Sequence, residues 1–111
     1  DYKLGMLVAE ENADVLNPKS WKQHPTPVFE RNDAAGVFGP GHNGFFKSPD
    51  GTEDWIVYHA KTSSEYTYRG RTTRVQKFAW RADGTPDFGK PLGLDVVLDE
   101  PSATPRARTK D

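Results

Sequence analysis

The chain has 111 residues, a formal net charge of −1, 34% apolar and 12% aromatic residues, and no cysteine. Its length suits one small domain. With the charge near neutral, bulk electrostatics point to neither nucleic acid nor an anionic membrane. The missing thiols exclude a disulfide frame, a thiolate metal site and a cysteine nucleophile.

Leu, Ile, Val and Phe total 21 residues, close to the level at which chains stay disordered. Balanced charge and aromatics gathered in strand-like runs predict a folded chain with a thin, aromatic core of stacked sheet. No apolar run reaches the length of a membrane helix. The chain carries no signal peptide and begins abruptly at Asp1-Tyr2-Lys3-Leu4, which reads as a cut through a larger protein.

In chain order, Leu4 to Ala9 is a short, Gly-interrupted apolar run that predicts a strand. Asn17-Pro18 opens a turn, Trp21 is one anchoring aromatic, and Pro25-Thr26-Pro27 precedes a brief extended pair, Val28-Phe29. Arg31 to Gly36 reads as loop. Then comes Gly39-Pro40-Gly41-His42-Asn43-Gly44-Phe45-Phe46, three glycines and a proline around one histidine. Ser48-Pro49-Asp50-Gly51 is a turn signal, and Asp54 to Ala60 is a dense strand. Alternation puts Trp55, Val57 and His59 on one face and Ile56, Tyr58 and Ala60 on the other. Both faces are largely apolar, so the sheet is expected to be covered on both sides.

Lys61 to Gly70 is a polar loop holding Tyr66 and Tyr68. Arg71 to Trp80 is a second strand, whose even positions run Arg74, Gln76, Phe78, Trp80. That polar-to-aromatic gradient predicts a polar end meeting solvent or ligand and an aromatic end in the core. Ala82-Asp83-Gly84-Thr85-Pro86 is a strong turn. Leu92 to Leu98 holds the last apolar runs, and from Pro101 the tail is polar and basic and is expected to be disordered. No segment carries a convincing helical stripe. Pro18, Trp21, Lys22 and Pro25 are loosely echoed by Pro86, Phe88, Lys90 and Pro91, a weak repeat of the kind that arrays of sheet units show. The fold class is therefore all-β, a sandwich or propeller.

The run from Gly36 to Asn43, followed by Ser48 to Ala60, Arg74-Val75-Gln76-Lys77-Phe78, Trp80 and Asp83-Gly84-Thr85-Pro86, with Asn17 to Trp21 upstream, resembles the C-terminal part of glycoside hydrolase family 43, the arabinofuranosidase and xylosidase group. The resemblance covers roughly residues 2–98. It implies a partial five-bladed β-propeller, the end of blade four plus blade five, incomplete on its own. Residues 1–100 would be the C-terminal segment of that domain and 101–111 a polar tail. It also implies an extracellular or periplasmic inverting glycosidase acting on arabinose- or xylose-containing saccharide. The family's catalytic Asp, Asp and Glu motifs are absent here, so the carboxylates would lie outside the chain and the chain alone would be inactive. Its partners would be the remaining blades, from the same gene product or a companion chain. The reading from a different class is a non-catalytic, β-rich carbohydrate-binding module.

The residues agree that this chain holds no glycosidase pair. Hydrolysis needs two carboxyl groups across the scissile bond. Here Glu53 and Asp54 are adjacent in sequence and must point to opposite faces, and no carboxyl sits in an apolar pocket. From its residues alone His42 is either a ligand-holding group or a buried histidine bonded to backbone in a glycine turn. The resemblance places it by the propeller axis, where it would help hold a calcium ion. Arg74 and Gln76 are candidates for substrate binding, Arg74 being preferred to Arg71 because it shares a face with Gln76. Trp55, Phe78 and Trp80 are expected to pack. Tyr66 and Tyr68 are the aromatics placed best to meet a sugar. His59 reads as a core histidine and His24 as a loop residue.

Overall fold

The computed structural model describes residues 1–103. Among these no α-helix forms. A four-stranded antiparallel sheet, in the order β3-β4-β5-β6, consists of Phe38–Lys47 (β3), Asp54–Lys61 (β4), Thr72–Trp80 (β5) and Pro86–Asp87 (β6). A two-stranded ribbon pairs Leu7–Val8 (β1) with Lys22–Gln23 (β2). The all-β expectation holds, and β4, β5 and the turn after Trp80 lie where the alternation put them. The predicted repeat does not match in structure: Pro18–Ser20 is a 3-10 turn, whereas Pro86 begins a strand.

The glycines and proline around His42 form most of a ten-residue edge strand, β3, and His42 is exposed on it, so the reading of a buried histidine in a glycine turn does not hold. Pro40 lacks an N–H and is tolerated because β3 has only one neighbour. The pairing runs Phe38 with Lys61, Gly41 with His59 and Gly44 with Val57, so three residues of β3 twice step past two of β4. These are two successive β-bulges. Each contains one residue in the left-handed region, Gly39 at φ 62° in the first and His42 at φ 48° in the second. Bulges bend an edge strand and re-aim its side chains. Together with Pro40 they also make β3 a poor template for pairing with a stray strand.

One face of the sheet carries the core. Ile56, Tyr58 and Ala60 pack with Phe29, Val37 and Phe88, and the Phe29 ring meets Tyr58 edge-on at 4.9 Å. Phe29 is brought there by the backbone bridge of Leu4 to Phe29. On the opposite face Trp55 is buried and stacks on Phe46 at 5.9 Å, while Val57 and His59 are half-buried.

The gradient along β5 is present but reversed in exposure. Arg74 and Gln76 lie opposite Tyr58 and Ile56 on the core face and are only 8% and 3% exposed, whereas Trp80 at the aromatic end is 56% exposed. Gln76 is buried because its amide meets four partners. Its Oε1 accepts from Tyr58 Oη and the Leu92 N–H, both at 2.9 Å, and its Nε2 donates to the Lys90 and Phe88 carbonyls at 3.1 and 3.4 Å. This bracket draws residues 88–92 across the sheet. Beyond it the apolar run Leu92 to Leu98 forms no strand, and Val97 is fully open to solvent.

The β3–β4 turn is polar and heavily bonded. The Asp50 carboxylate accepts from Ser48 Oγ and Thr52 Oγ1, both at 2.7 Å, from the Thr52 N–H at 3.0 Å, and from the Ser102 hydroxyl. Glu53 accepts the Ser102 N–H at 2.7 Å and pairs with Lys77 at 3.1 Å. The expected disorder from Pro101 is thus corrected at Ser102, which is buckled onto the turn; the rest of that expectation, residues 104–111, lies outside the described residues.

The Ser102 hydroxyl, with Ser48 and Thr52, holds the Asp50 carboxyl far below the ordinary carboxylate range, and the Ser102 N–H and Lys77 lower Glu53. Both groups are depressed on folding, so what they contribute is present above the unfolded carboxylate range and lost as pH falls through their folded values. The buckle should therefore hold at neutral pH and loosen progressively below about pH 4. Hydrogen-exchange protection factors at the Asp50 and Ser102 amides report it; equal protection at pH 3 and pH 7 would refute it.

Candidate functional site

The opposite end of the sheet, where β3 begins, β4 ends and β5 begins, brings together Tyr2, His42, His59 and Arg71. Tyr2 lies across β3 at Gly41. A Cβ on Gly41 would come within 2.8 Å of the Tyr2 Cβ, so only glycine admits this packing. The Tyr2 ring stands edge-on to His59 at 5.3 Å, and His42 meets His59 in the same manner at 6.1 Å. Tyr2, His59 and His42 thus form a row of perpendicular rings.

Both ring nitrogens of His59 are buried without a hydrogen-bond partner among the described residues. Burial lowers the His59 pKa, and the charge of Arg71 and the nearness of His42 act in the same direction. His59 is therefore the neutral imidazole at pH 7. His42 is exposed and sits on the bulged edge strand. A non-glycine residue in the left-handed region costs roughly 1–2 kcal/mol. The bulge that imposes this cost is also what sets the direction of the imidazole.

Beside the ring row opens a cleft of about 460 Å³. Its wall is the β4–β5 loop, and Tyr2 belongs to both cleft and ring row. Arg71 is held between two aromatic faces, 4.8 Å from the centre of the Tyr2 ring and 4.7 Å from that of Tyr68. Such cation–π contacts fix a guanidinium in place while leaving its N–H edges free to donate. Lys61, Glu65 and Tyr66 complete the wall that matters here.

The predicted site residues therefore separate. His42 lies in the ring row. Arg74 and Gln76 share a face, as the alternation requires, but that face is the core. Gln76 has both lone pairs and both N–H groups engaged within the chain. Arg74 donates from Nε to Thr72 Oγ1 at 3.2 Å, and its two terminal nitrogens are buried with no partner among the described residues. The arginine on the cleft is Arg71. His24 is a loop residue bonded to the Thr26 carbonyl at 2.8 Å. Trp55 packs as expected, whereas Trp80 lies open, its indole N–H held by Asp54 at 3.0 Å. The sequence signal for the Arg71 site was the interleaving of Tyr66, Tyr68, Arg69 and Arg71 in one loop.

No three His, Asp or Glu side chains converge on a common point among the described residues. Calcium takes six to eight oxygen ligands. His42 brings one nitrogen and belongs to no such group, so the described residues do not fit a calcium ion by themselves. Among the described residues no carboxyl group is raised as a glycosidase acid would be. The shifted carboxyl groups, Asp33, Asp50, Glu53, Asp54 and Asp83, are all pulled down by donors rather than raised as a general acid requires. Glu53 turns to Lys77 and Asp54 to Lys47 and Trp80, on opposite faces.

The profile of glycosyl hydrolases family 43 matches residues 1–86. Alpha-L-arabinofuranosidase B of Pyricularia oryzae is 48% identical over 99 residues, which is 83% of this chain and 20% of that protein. An extracellular exo-alpha-(1->5)-L-arabinofuranosidase of Streptomyces avermitilis is 45% identical over 102 residues, 87% of this chain and 21% of that protein. Among solved structures, an alpha-L-arabinofuranosidase from Lactobacillus brevis superposes with a TM-score of 0.77 at 44% identity, over 84% of this chain and 30% of that one. The chain spans about a fifth of the length of these curated relatives. Its sheet corresponds to part of a larger propeller.

Proposed function

The chain belongs to glycosyl hydrolase family 43, and from that premise we propose that it is the C-terminal portion of an extracellular glycosidase that removes arabinofuranosyl units from plant polysaccharide. The observation that carries this reading is the identity of 45–48% with arabinofuranosidases across most of the chain. The geometry supports it: a cleft edged by the faces of Tyr2, Tyr66 and Tyr68 and by the fixed Arg71 guanidinium is suited to hold a neutral, hydroxyl-rich ring. A β-xyloside is the second substrate class, on the family resemblance alone.

In this reading the pair of carboxyl groups that hydrolysis requires comes from the rest of the protein, and the reaction inverts the anomeric centre. The chain's own contribution is the His42–His59–Tyr2 row and the Arg71 wall. Arg71 donates to sugar hydroxyls, and neutral His59 holds His42 by its ring edge. Calcium remains a proposal whose ligands would come mainly from outside this chain; unchanged melting and activity with and without chelator would remove it. Secretion rests on the Streptomyces avermitilis relative, which is named as extracellular. No helix among the described residues is long and apolar enough to cross a membrane.

The test is hydrolysis of nitrophenyl arabinofuranoside and nitrophenyl xyloside by the complete protein. Release from the arabinofuranoside, with little from the xyloside, is the expected result. Sugar binding with no hydrolysis of either would favour the non-catalytic module.

A further inference from the structure

The β4–β5 loop has a feature that the removal of a single sugar does not require. Tyr66 is 96% exposed at the rim of the cleft, on a loop that is otherwise tightly bonded to itself. The Lys61 ammonium reaches into the loop and donates to the Glu65 carbonyl at 2.5 Å and the Thr67 carbonyl at 2.9 Å. Ser63 Oγ accepts the Glu65 N–H at 3.1 Å, and Thr67 Oγ1 accepts the Arg69 N–H at 3.2 Å. A loop with nothing to present gains little from such bracing. Here the bracing holds a large aromatic face in solvent, which lowers the entropy cost of any ligand that stacks on it.

We propose that Tyr66, on the braced loop of residues 62–71, stacks on a sugar ring of the polysaccharide chain beyond the unit being removed, and so sets the preference for polymer over small glycosides. The chemistry of the wall selects this occupant. Around Tyr66 the lining combines the rings of Tyr2 and Tyr68 with the polar groups of Ser64, Glu65 and Arg71. A sugar ring offers an apolar C–H face to the first and hydroxyls to the second. A packed protein neighbour would have to bury the Glu65 carboxylate and the Arg71 guanidinium, at the cost that attends unpaired charge. This inference rests on the glycosidase reading and deepens it.

The test compares Tyr66→Ala with wild type in the complete protein, reading kcat/KM on an arabinan oligosaccharide against kcat/KM on nitrophenyl arabinofuranoside. The oligosaccharide-to-nitrophenyl ratio should fall about three- to tenfold, the worth of one aromatic stacking contact. Tyr66→Phe, which keeps the ring, should hold the wild-type ratio. An unchanged ratio in Tyr66→Ala with an active wild type overturns the subsite and leaves the glycosidase reading standing. A wild type inactive on both substrates overturns both. A fall in the melting temperature of Tyr66→Ala with no change in ratio means that the ring packs against another part of the protein, which also overturns the subsite.

Discussion

Replacing His42 with glycine should make the complete protein more stable and less active, two effects that a merely structural histidine could not combine. His42 holds φ 48° in the second bulge of β3, a conformation that glycine adopts freely. Relief of that conformation, less the extra freedom glycine gains in the unfolded chain, leaves a net gain of roughly 0.5–1 kcal/mol. The first bulge makes the comparison directly, because its left-handed position is already Gly39. A strained residue persists where the surrounding structure holds it and something other than stability keeps it. On the reading above, His42→Gly and His42→Ala should each lower kcat/KM on nitrophenyl arabinofuranoside about 10- to 100-fold, the range for groups that orient a site rather than form bonds in it. His42→Ala should not gain stability, since alanine has the same steric objection to positive φ. A His42→Gly protein of full activity would show that the imidazole has no part in the site.

The strands that could be read from sequence were those whose information is local. Asp54 to Ala60 alternates and is bounded by turn residues, and the Asp83-Gly84-Thr85 turn carries its own bonds, with Asp83 accepting from the Thr85 N–H and hydroxyl at 2.9 and 2.6 Å. Strand β3 was not legible in this way. Its glycines and proline argue for a turn when taken alone, and the bulges that accommodate them exist only in register with β4, whose partner residues lie more than a dozen positions away. The same limit governs the site. Alternation correctly puts Arg74 and Gln76 on one face, but parity does not say which face meets solvent. That was decided by residues 88–92, which supply the partners that let an amide be buried. Once Gln76 faces inward Arg74 must follow, and the cleft arginine is instead Arg71, one residue before β5 begins. Recognition of the family motif reached the fold without solving this, because it reports the order of residues and not their exposure.

Gln76→Ala should therefore act on folding and not on substrate. The substitution leaves Tyr58 Oη, the Leu92 N–H and the Phe88 and Lys90 carbonyls without the amide they share. A buried group left unpaired costs about 1–3 kcal/mol. Water can reach some of the four once residues 88–92 lift, so the expected loss is at least about 3 kcal/mol, not the full sum. Tyr58 adds to it, because its phenol is already held high by burial, only partly offset by Arg74, and so stays a neutral donor in need of an acceptor. Gln76→Glu is the sharper companion. It keeps an acceptor for Tyr58 and Leu92 but turns a carboxylate toward two carbonyls, so it should fail as badly as alanine despite its matching shape. Denaturant midpoints of the complete protein measure both variants, and KM for nitrophenyl arabinofuranoside separates the roles. A raised KM with an unchanged midpoint would return Gln76 to the substrate. A lowered midpoint with KM held would fix it as the bracket that folds the 88–92 segment over the core and, by turning Arg74 inward with it, leaves the cleft to Arg71.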